Sequence, residues 1–353
     1  MSYVSTRHPL ISVVMPVYNA EVHVAEAISS ILAQTCSNFE FIIVDDGSTD
    51  ASINVIRQYA EQDARIRPLY LNHCGQAGAL NAGIEMAQGQ LIAHMDNDDI
   101  ALPERFDIQL AWMRKTGVDI CGGQLKRFGL QSGHLWFPET HEAIRNELLF
   151  RVSLHHGSSL LRTEIAKKHL FNRDTPFVDY EILTRLALLY KLGNVPQILL
   201  KYRSHPLQTH IIYKKDFFTD MNLFRKNYFF QMYPDATQND FNIISCLARN
   251  MVSATLEDLQ RAGLWLARLA QTPDIFLRRK MADRWRSACQ RSSFLGLRCY
   301  RLYNQHYSLF KVPEVRSNSL WISCALRLKA DSRFANIVRS VKNKQWIKRH
   351  EIT

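Results

Sequence analysis

The sequence has no long apolar run, no paired cysteines and no low-complexity tract, and each absence narrows the choice. No stretch approaches the roughly 18 to 20 apolar residues that a membrane span needs. Residues 1–10 lack the apolar core and small-residue cleavage site of a secretory leader, so the chain is expected to stay in the cytoplasm. Cys36, Cys74, Cys121, Cys246, Cys289, Cys299 and Cys324 are scattered, odd in number and free of any C-x-x-C pair. That argues against a disulfide framework or a zinc knuckle and fits a reducing compartment.

What is present is a globular composition over 353 residues, 46% hydrophobic and 22% charged. That is enough for one catalytic domain and a smaller appendage. The charge is unevenly spread. Residues 1–150 carry 10 Lys/Arg against 18 Asp/Glu, a balance of −8. Residues 151–260 come to +4 and residues 261–353 to +15. An acidic N-terminal portion disfavours nucleic acid as a substrate and suits a metal site.

Short apolar runs alternate with amphipathic segments through the first 130 residues. Strands are predicted at Ile11–Val17, Phe39–Val44, Ile66–Leu71, Gln90–Met95 and Val118–Phe128. Helices are predicted between them at Ala20–Gln34, Asp50–Gln62, Gln76–Gln88 and Pro103–Lys115. Continuous apolar strands in βαβα order imply a mostly parallel, Rossmann-like sheet covered on both faces, with ligands beyond the strand ends. Downstream, helices are expected at Glu142–Phe150, Thr163–His169 and Asp179–Lys191, and strands at Leu154–Leu161 and Val195–Tyr202. From Tyr213 onward the pattern is helical, with aromatic residues and arginines interleaved.

Polar residues gather at three strand ends. Met95-Asp96-Asn97-Asp98-Asp99 is the strongest signal, because carboxylates at i and i+2 can converge on one cation once the chain turns. A hard ion, Mn2+ or Mg2+, takes oxygen ligands and keeps positions for substrate phosphates. Its work would be to neutralise a diphosphate leaving group. The same residues also suit an Asx-rich turn capping the helix near Pro103. Val44-Asp45-Asp46-Gly47-Ser48-Thr49-Asp50 offers a carboxylate to a nucleobase imide or a ribose hydroxyl. It reads equally as a junction in which Gly47 turns and Ser48 or Asp50 caps the next helix. In Val13-Val14-Met15-Pro16-Val17-Tyr18-Asn19, proline leaves a carbonyl free and Tyr18 can border a base.

These motifs, followed in order by Ala79-Leu80-Asn81-Ala82-Gly83-Ile84 and D-N-D-D, resemble the family 2 glycosyltransferases over about residues 10–210. The resemblance implies a GT-A nucleotide-diphospho-sugar fold and an inverting transferase that uses a UDP-sugar and a divalent cation. By motif, it places Pro16, Tyr18 and Asp46 on uridine, Asp96 on the ribose or the metal, and Asp98 as principal metal ligand. Asn81 falls on the nucleotide side. Val178-Asp179-Tyr180-Glu181 is similar to the family's Glu-Asp-Tyr, whose aspartate is the general base. Val178 departs from that pattern, and Glu181 is the rival of Asp179 for the role. Asp179 also suits an N-cap of the helix that follows. Tyr202-Arg203-Ser204-His205 is similar to the element closing the catalytic domain, with Arg203 facing phosphate and His205 a further candidate metal ligand. His155 and His156 read as structural or acceptor-side.

The expected layout is a catalytic domain over 1–212, binding nucleotide-sugar at 10–130 and holding the acceptor and base region at 131–212, then a helical basic region over 213–353. The layout resembles bacterial lipooligosaccharide and capsule glycosyltransferases. The expected reaction moves a hexose or N-acetylhexosamine from a UDP-sugar to a glycan, free or lipid-linked, in cell-surface polysaccharide or lipooligosaccharide synthesis. Arg278-Arg279-Lys280 and Lys342–Arg349, with Trp285, Phe294, Trp321 and Trp346, suit an anionic inner-membrane surface. An ordinary helical subdomain with a solvated basic face is the alternative, and no nucleic-acid motif accompanies the charge. A sugar-nucleotide pyrophosphorylase would want a glycine-rich basic loop after the first strand, and an oxidoreductase G-x-G-x-x-G. Pro16–Ala20 holds neither. A non-catalytic nucleotide-binding scaffold of the same fold remains the other reading.

Overall fold

The computed structural model describes residues 9–206, 214–250, 255–313 and 318–328. The chain forms two compact units, Met1–Leu148 with Val152–Tyr228, and Leu149–Arg151 with Phe229–Thr353. The first is built on a nine-stranded sheet. Strands β1 (Ile11–Val17), β2 (Phe39–Asp45), β3 (Ile66–Tyr70) and β4 (Leu91–His94) lie in the order β3-β2-β1-β4, and all three pairings are parallel. Every residue of β1 and β2 is buried, which is why their apolar runs do not alternate. Helices α1 (Val24–Leu32), α2 (Ser52–Gln62) and α3 (Gly75–Met86) make the crossovers.

Beyond β4 the sheet is mixed. After β5 (Ile100–Ala101) and α4 (Arg105–Thr116) come β6 (Ile120–Gly129), β7 (Gly133–Leu135), β8 (Leu160–Arg162) and β9 (Leu192–Ser204). The order continues β4-β8-β6-β9-β5, with β8 antiparallel to both neighbours and β6 parallel to β9. The strand expected over Leu154–Leu161 is shorter, because residues 156–158 form a 3-10 turn that Gln109 holds by donating to Ser158 O at 2.8 Å. Helices α5 (His141–Leu148), α6 (Thr163–Lys168) and α7 (Val178–Leu186) complete this part.

The described residues continue as α8 (Lys214–Met232), α9 (Gln238–Ala248), α10 (Leu256–Leu269), α11 (Ile275–Arg291), α12 (Leu297–Tyr307) and α13 (Asn318–Ala325). Thr237, Thr255 and Asp274 cap α9, α10 and α11 with side-chain oxygens. Trp285, expected at a membrane-facing surface, is instead fully buried and donates its indole N–H to Tyr303 O at 3.2 Å. Trp321 is half exposed. Trp346 and the Lys342–Arg349 cluster lie outside the described residues. Among the described residues no helix is long and apolar enough to cross a membrane.

Candidate active site

The ends of β1 and β2 are stitched together by their own motif residues. Asn19, at φ 48°, donates its N–H to Ser48 Oγ and accepts from Thr49 N–H at 2.8 Å. Ala20 N–H donates to Ser52 Oγ, Glu21 N–H to Asp50 Oδ2, and Ser52 N–H to Asp50 Oδ1. Gly47 turns at φ 74°, where an added Cβ would sit 2.9 Å from the His73 nitrogen. Much of Y-N and D-G-S-T-D therefore makes the junction itself. Tyr18 and Asp46 are left facing the loop before α3. There the Tyr18 and His73 rings lie 4.2 Å apart, and His73 Nδ1 is 3.0 Å from Asp46 Oδ2. Asp46 Oδ1 accepts from Cys74 N–H at 2.7 Å. The Pro16 carbonyl accepts from the Asn97 side-chain amide at 2.8 Å, tying the first motif to the acidic one. Asn81, expected on the nucleotide side, is buried instead, with both amide atoms engaged on the Phe171 backbone at 2.8 and 3.0 Å.

The acidic motif leaves β4 and doubles back through β5. Asp96, Asp99 and His155 each offer an atom within 4.8 Å of the others. Asp98 lies outside this grouping, its Oδ2 2.8 Å from His205 Nε2. Arg203 fixes this turn: its backbone N–H donates to Asp99 Oδ1 and its Nε–H to Asp98 O, while its guanidinium pairs with Glu26. Burial, then the charges of Asp98 and Asp179, holds the Asp96 carboxyl well above the ordinary range. Burial, then Asp98 and Asp96, does the same to Asp99. Asp99 Oδ2 and His155 Nδ1 are buried with no hydrogen-bond partner. Burial lowers His155 to about 4 and His156 to about 3, so both imidazoles are neutral near pH 7. Crowded carboxylates, an orphaned oxygen and a neutral imidazole fit a divalent cation.

Beneath this cluster lies Arg105, completely buried. It donates to Gln109 Oε1, His94 O and Ser159 O, none of them an anion. An uncompensated buried cation costs several kcal/mol. Burial lowers Arg105 to about 10, while Asp96 and Asp99 act on it through space in the opposite direction. The acidic cluster and the internal guanidinium make each other tolerable. Arg105 carried no sequence signal, and His155 none toward a metal, since both meet the cluster only through the tertiary fold.

Asp179 shares the same field. It sits in the first turn of α7, whose N-cap is Phe177, so it does not cap the helix. Its carboxyl is raised by burial, with His155 pulling the other way, yet 38% of the side chain still meets solvent. His156 Nδ1 stands 4.0 Å from Asp179 Oδ1. Tyr202 is raised by burial and then by Asp99, Asp96, Asp98 and Asp179, so its hydroxyl stays protonated beside four carboxylates. Glu181 is buried and fork-paired to Arg185 at 2.7 and 2.9 Å, which removes it as a rival base. Val178, where the resembled pattern has glutamate, is buried.

Gly157 lets the 3-10 turn come against Asp96, where an added Cβ would overlap the carboxylate and lie 2.8 Å from its carbon. Gly157→Ala is expected to lower kcat/KM about 100-fold by shifting Asp96, with little change in melting temperature. Steady-state kinetics and a thermal melt check this together.

A sequence model of the family described as glycosyl transferase family 2 matches residues 12–175, stopping short of Asp179. An uncharacterized glycosyltransferase of Haemophilus influenzae is 32% identical over 224 residues, covering 59% of this chain and 69% of that protein. Glycosyltransferase GlyG of Streptococcus pneumoniae is 33% identical over 175 residues, 46% of this chain and 58% of its own length. Among solved structures, TarS 1–349 of S. aureus in complex with UDP-GlcNAc aligns at TM-score 0.55 and 16% identity, covering 85% of this chain and 90% of that one. Mannosyltransferase PcManGT of Pyrobaculum calidifontis, in complex with GDP-Man and Mn2+, aligns at TM-score 0.50 and 17% identity, covering 91% and 87%. At such identities the likeness is one of fold.

Proposed function

The chain belongs to the family 2 glycosyltransferases, and from that premise we propose an inverting transfer of a hexose or N-acetylhexosamine from a UDP-sugar to a glycan hydroxyl. The observation carrying this reading is that Asp179 lies 4.0 Å from His156 Nδ1, next to the Gly157 that packs directly against the Asp96 carboxylate of the acidic turn. Asp179 takes the acceptor proton as the acceptor oxygen attacks the anomeric carbon from the face opposite the departing diphosphate. Tyr18 and His73 border the base, with Asp46 fixing His73 from below. Asp96, Asp99 and His155 would hold a divalent cation, with Asp98 and His205 beside them. Such a cation, when bound, supplies positive charge to the leaving diphosphate. Arg203 keeps the acidic turn closed, and Arg105 offsets its charge from behind.

That TarS was solved with UDP-GlcNAc and PcManGT with GDP-Man and Mn2+ supports a nucleotide-sugar donor. The +15 balance of residues 261–353 supports a lipid-linked acceptor met at an anionic membrane surface on its cytoplasmic face. A role in cell-surface polysaccharide or lipooligosaccharide synthesis belongs to the same proposal. The test is nucleotide release with Mn2+ from UDP-Glc, UDP-Gal, UDP-GlcNAc, UDP-GalNAc and GDP-Man. One of the four UDP-sugars is expected to turn over. Turnover of GDP-Man alone refutes the uridine assignment, and UDP binding without any turnover favours a non-catalytic scaffold.

A further inference from the structure

The second unit has a concavity of its own, far larger than a packing defect. A groove of about 550 Å3 opens between the end of α8 with its following turn and the outer face of α10. That volume lies within the roughly 300–1,000 Å3 of small-ligand sites. Its wall is rigid: Trp265 donates its indole N–H to Asp240 Oδ1 at 2.9 Å, and Thr237 holds Asp240 Oδ2 at 2.6 Å. Against this wall Arg268 lies over the rings of Tyr233 and Trp265, 4.7 and 5.0 Å from their centres.

Stacking fixes the guanidinium plane without using its N–H donors. Among the described residues no carboxylate or carbonyl accepts from Arg268, although the exposed Asp235 lines the same groove. Tyr233 and the exposed Leu264 supply apolar lining beside these two polar groups. A free phosphate would meet two aspartates, and an alkylammonium would meet the guanidinium. A pyranose satisfies every part, because its hydroxyls both donate and accept while its C–H face is apolar.

We infer that the groove around Arg268 binds a saccharide unit of a glycan chain, with Arg268 donating to ring hydroxyls and Asp235 accepting from them. This rests on the reading that the chain acts on a glycan, and it adds a site independent of Asp179 and the acidic turn. The test applies the full chain, without donor or metal, to a printed array of bacterial oligosaccharides, followed by calorimetry with the best-bound oligosaccharide. Arg268→Ala and Asp235→Asn are each expected to weaken binding at least about tenfold. Donor hydrolysis in the same preparations is expected to stay within about twofold, so loss of the groove and loss of the glycosyltransferase reading give separate signals. Asp235 is exposed, so its variant keeps the test decisive if Arg268→Ala unfolds. Absence of binding to every oligosaccharide, equal binding by both variants, or displacement by excess inorganic phosphate overturns the inference.

Discussion

Asp179→Asn is expected to cut glycosyl transfer by about 1,000-fold while leaving UDP-sugar affinity within about twofold. The substitution keeps the shape of the side chain and removes only its ability to take a proton. Asp179 lies in the first turn of α7 and does not act as its cap, so stability does not depend on the carboxylate in that role. Glu181 cannot stand in, because Arg185 holds both its oxygens. Burial raises the Asp179 carboxyl above its ordinary value, which brings a base closer to working pH than an exposed aspartate. A base acts only when deprotonated, so the wild-type rate is expected to fall as pH drops through that raised value. Product formation at saturating donor, with calorimetric UDP binding on the same variant, checks the expectation. Transfer retained by Asp179→Asn would move the base elsewhere.

The sequence made some of this site legible and hid the rest for identifiable reasons. The strand ends carrying Tyr18, Asp46 and Asp96 were readable because buried parallel strands are continuous apolar runs that stop abruptly at polar residues. Asp179 came forward only through resemblance, since one carboxylate early in a helix has no distinctive pattern. The resemblance names Asp98 as principal ligand, while the place of Asp99 in the turn depends on Arg203, which arrives from β9 and was invisible to spacing. His155 read as structural or acceptor-side because its approach to Asp96 and Asp99 requires the 3-10 turn at 156–158. The short antiparallel strands β5 and β7 were too brief to show a period, and only the end of the strand expected over Leu154–Leu161 formed, as β8. Trp285 read as a surface aromatic because of the arginines around it, yet Leu277, Met281, Trp285, Ala288 and Cys289 fall at helical spacing on the buried face of α11, and Trp285 is the largest fully buried side chain among the described residues.

The second large effect separates neighbours within the acidic motif. Asp99 Oδ1 accepts from Arg203 N–H, whereas Oδ2 is buried and unpartnered. Asp99→Asn can keep the first contact and replace the second oxygen with an amide nitrogen, so the fold survives and a ligand is lost. Asp98→Asn keeps an acceptor for His205 and removes no atom from the Asp96–Asp99–His155 grouping. Everything proposed for the donor depends on its cation sitting on that grouping, and calorimetric titration of Mn2+ in the presence of UDP tests this most directly. Asp99→Asn is expected to bind Mn2+ at least about 100-fold more weakly than wild type, with Asp98→Asn changed by no more than about tenfold. The reverse order, or wild-type affinity in Asp99→Asn, would contradict it.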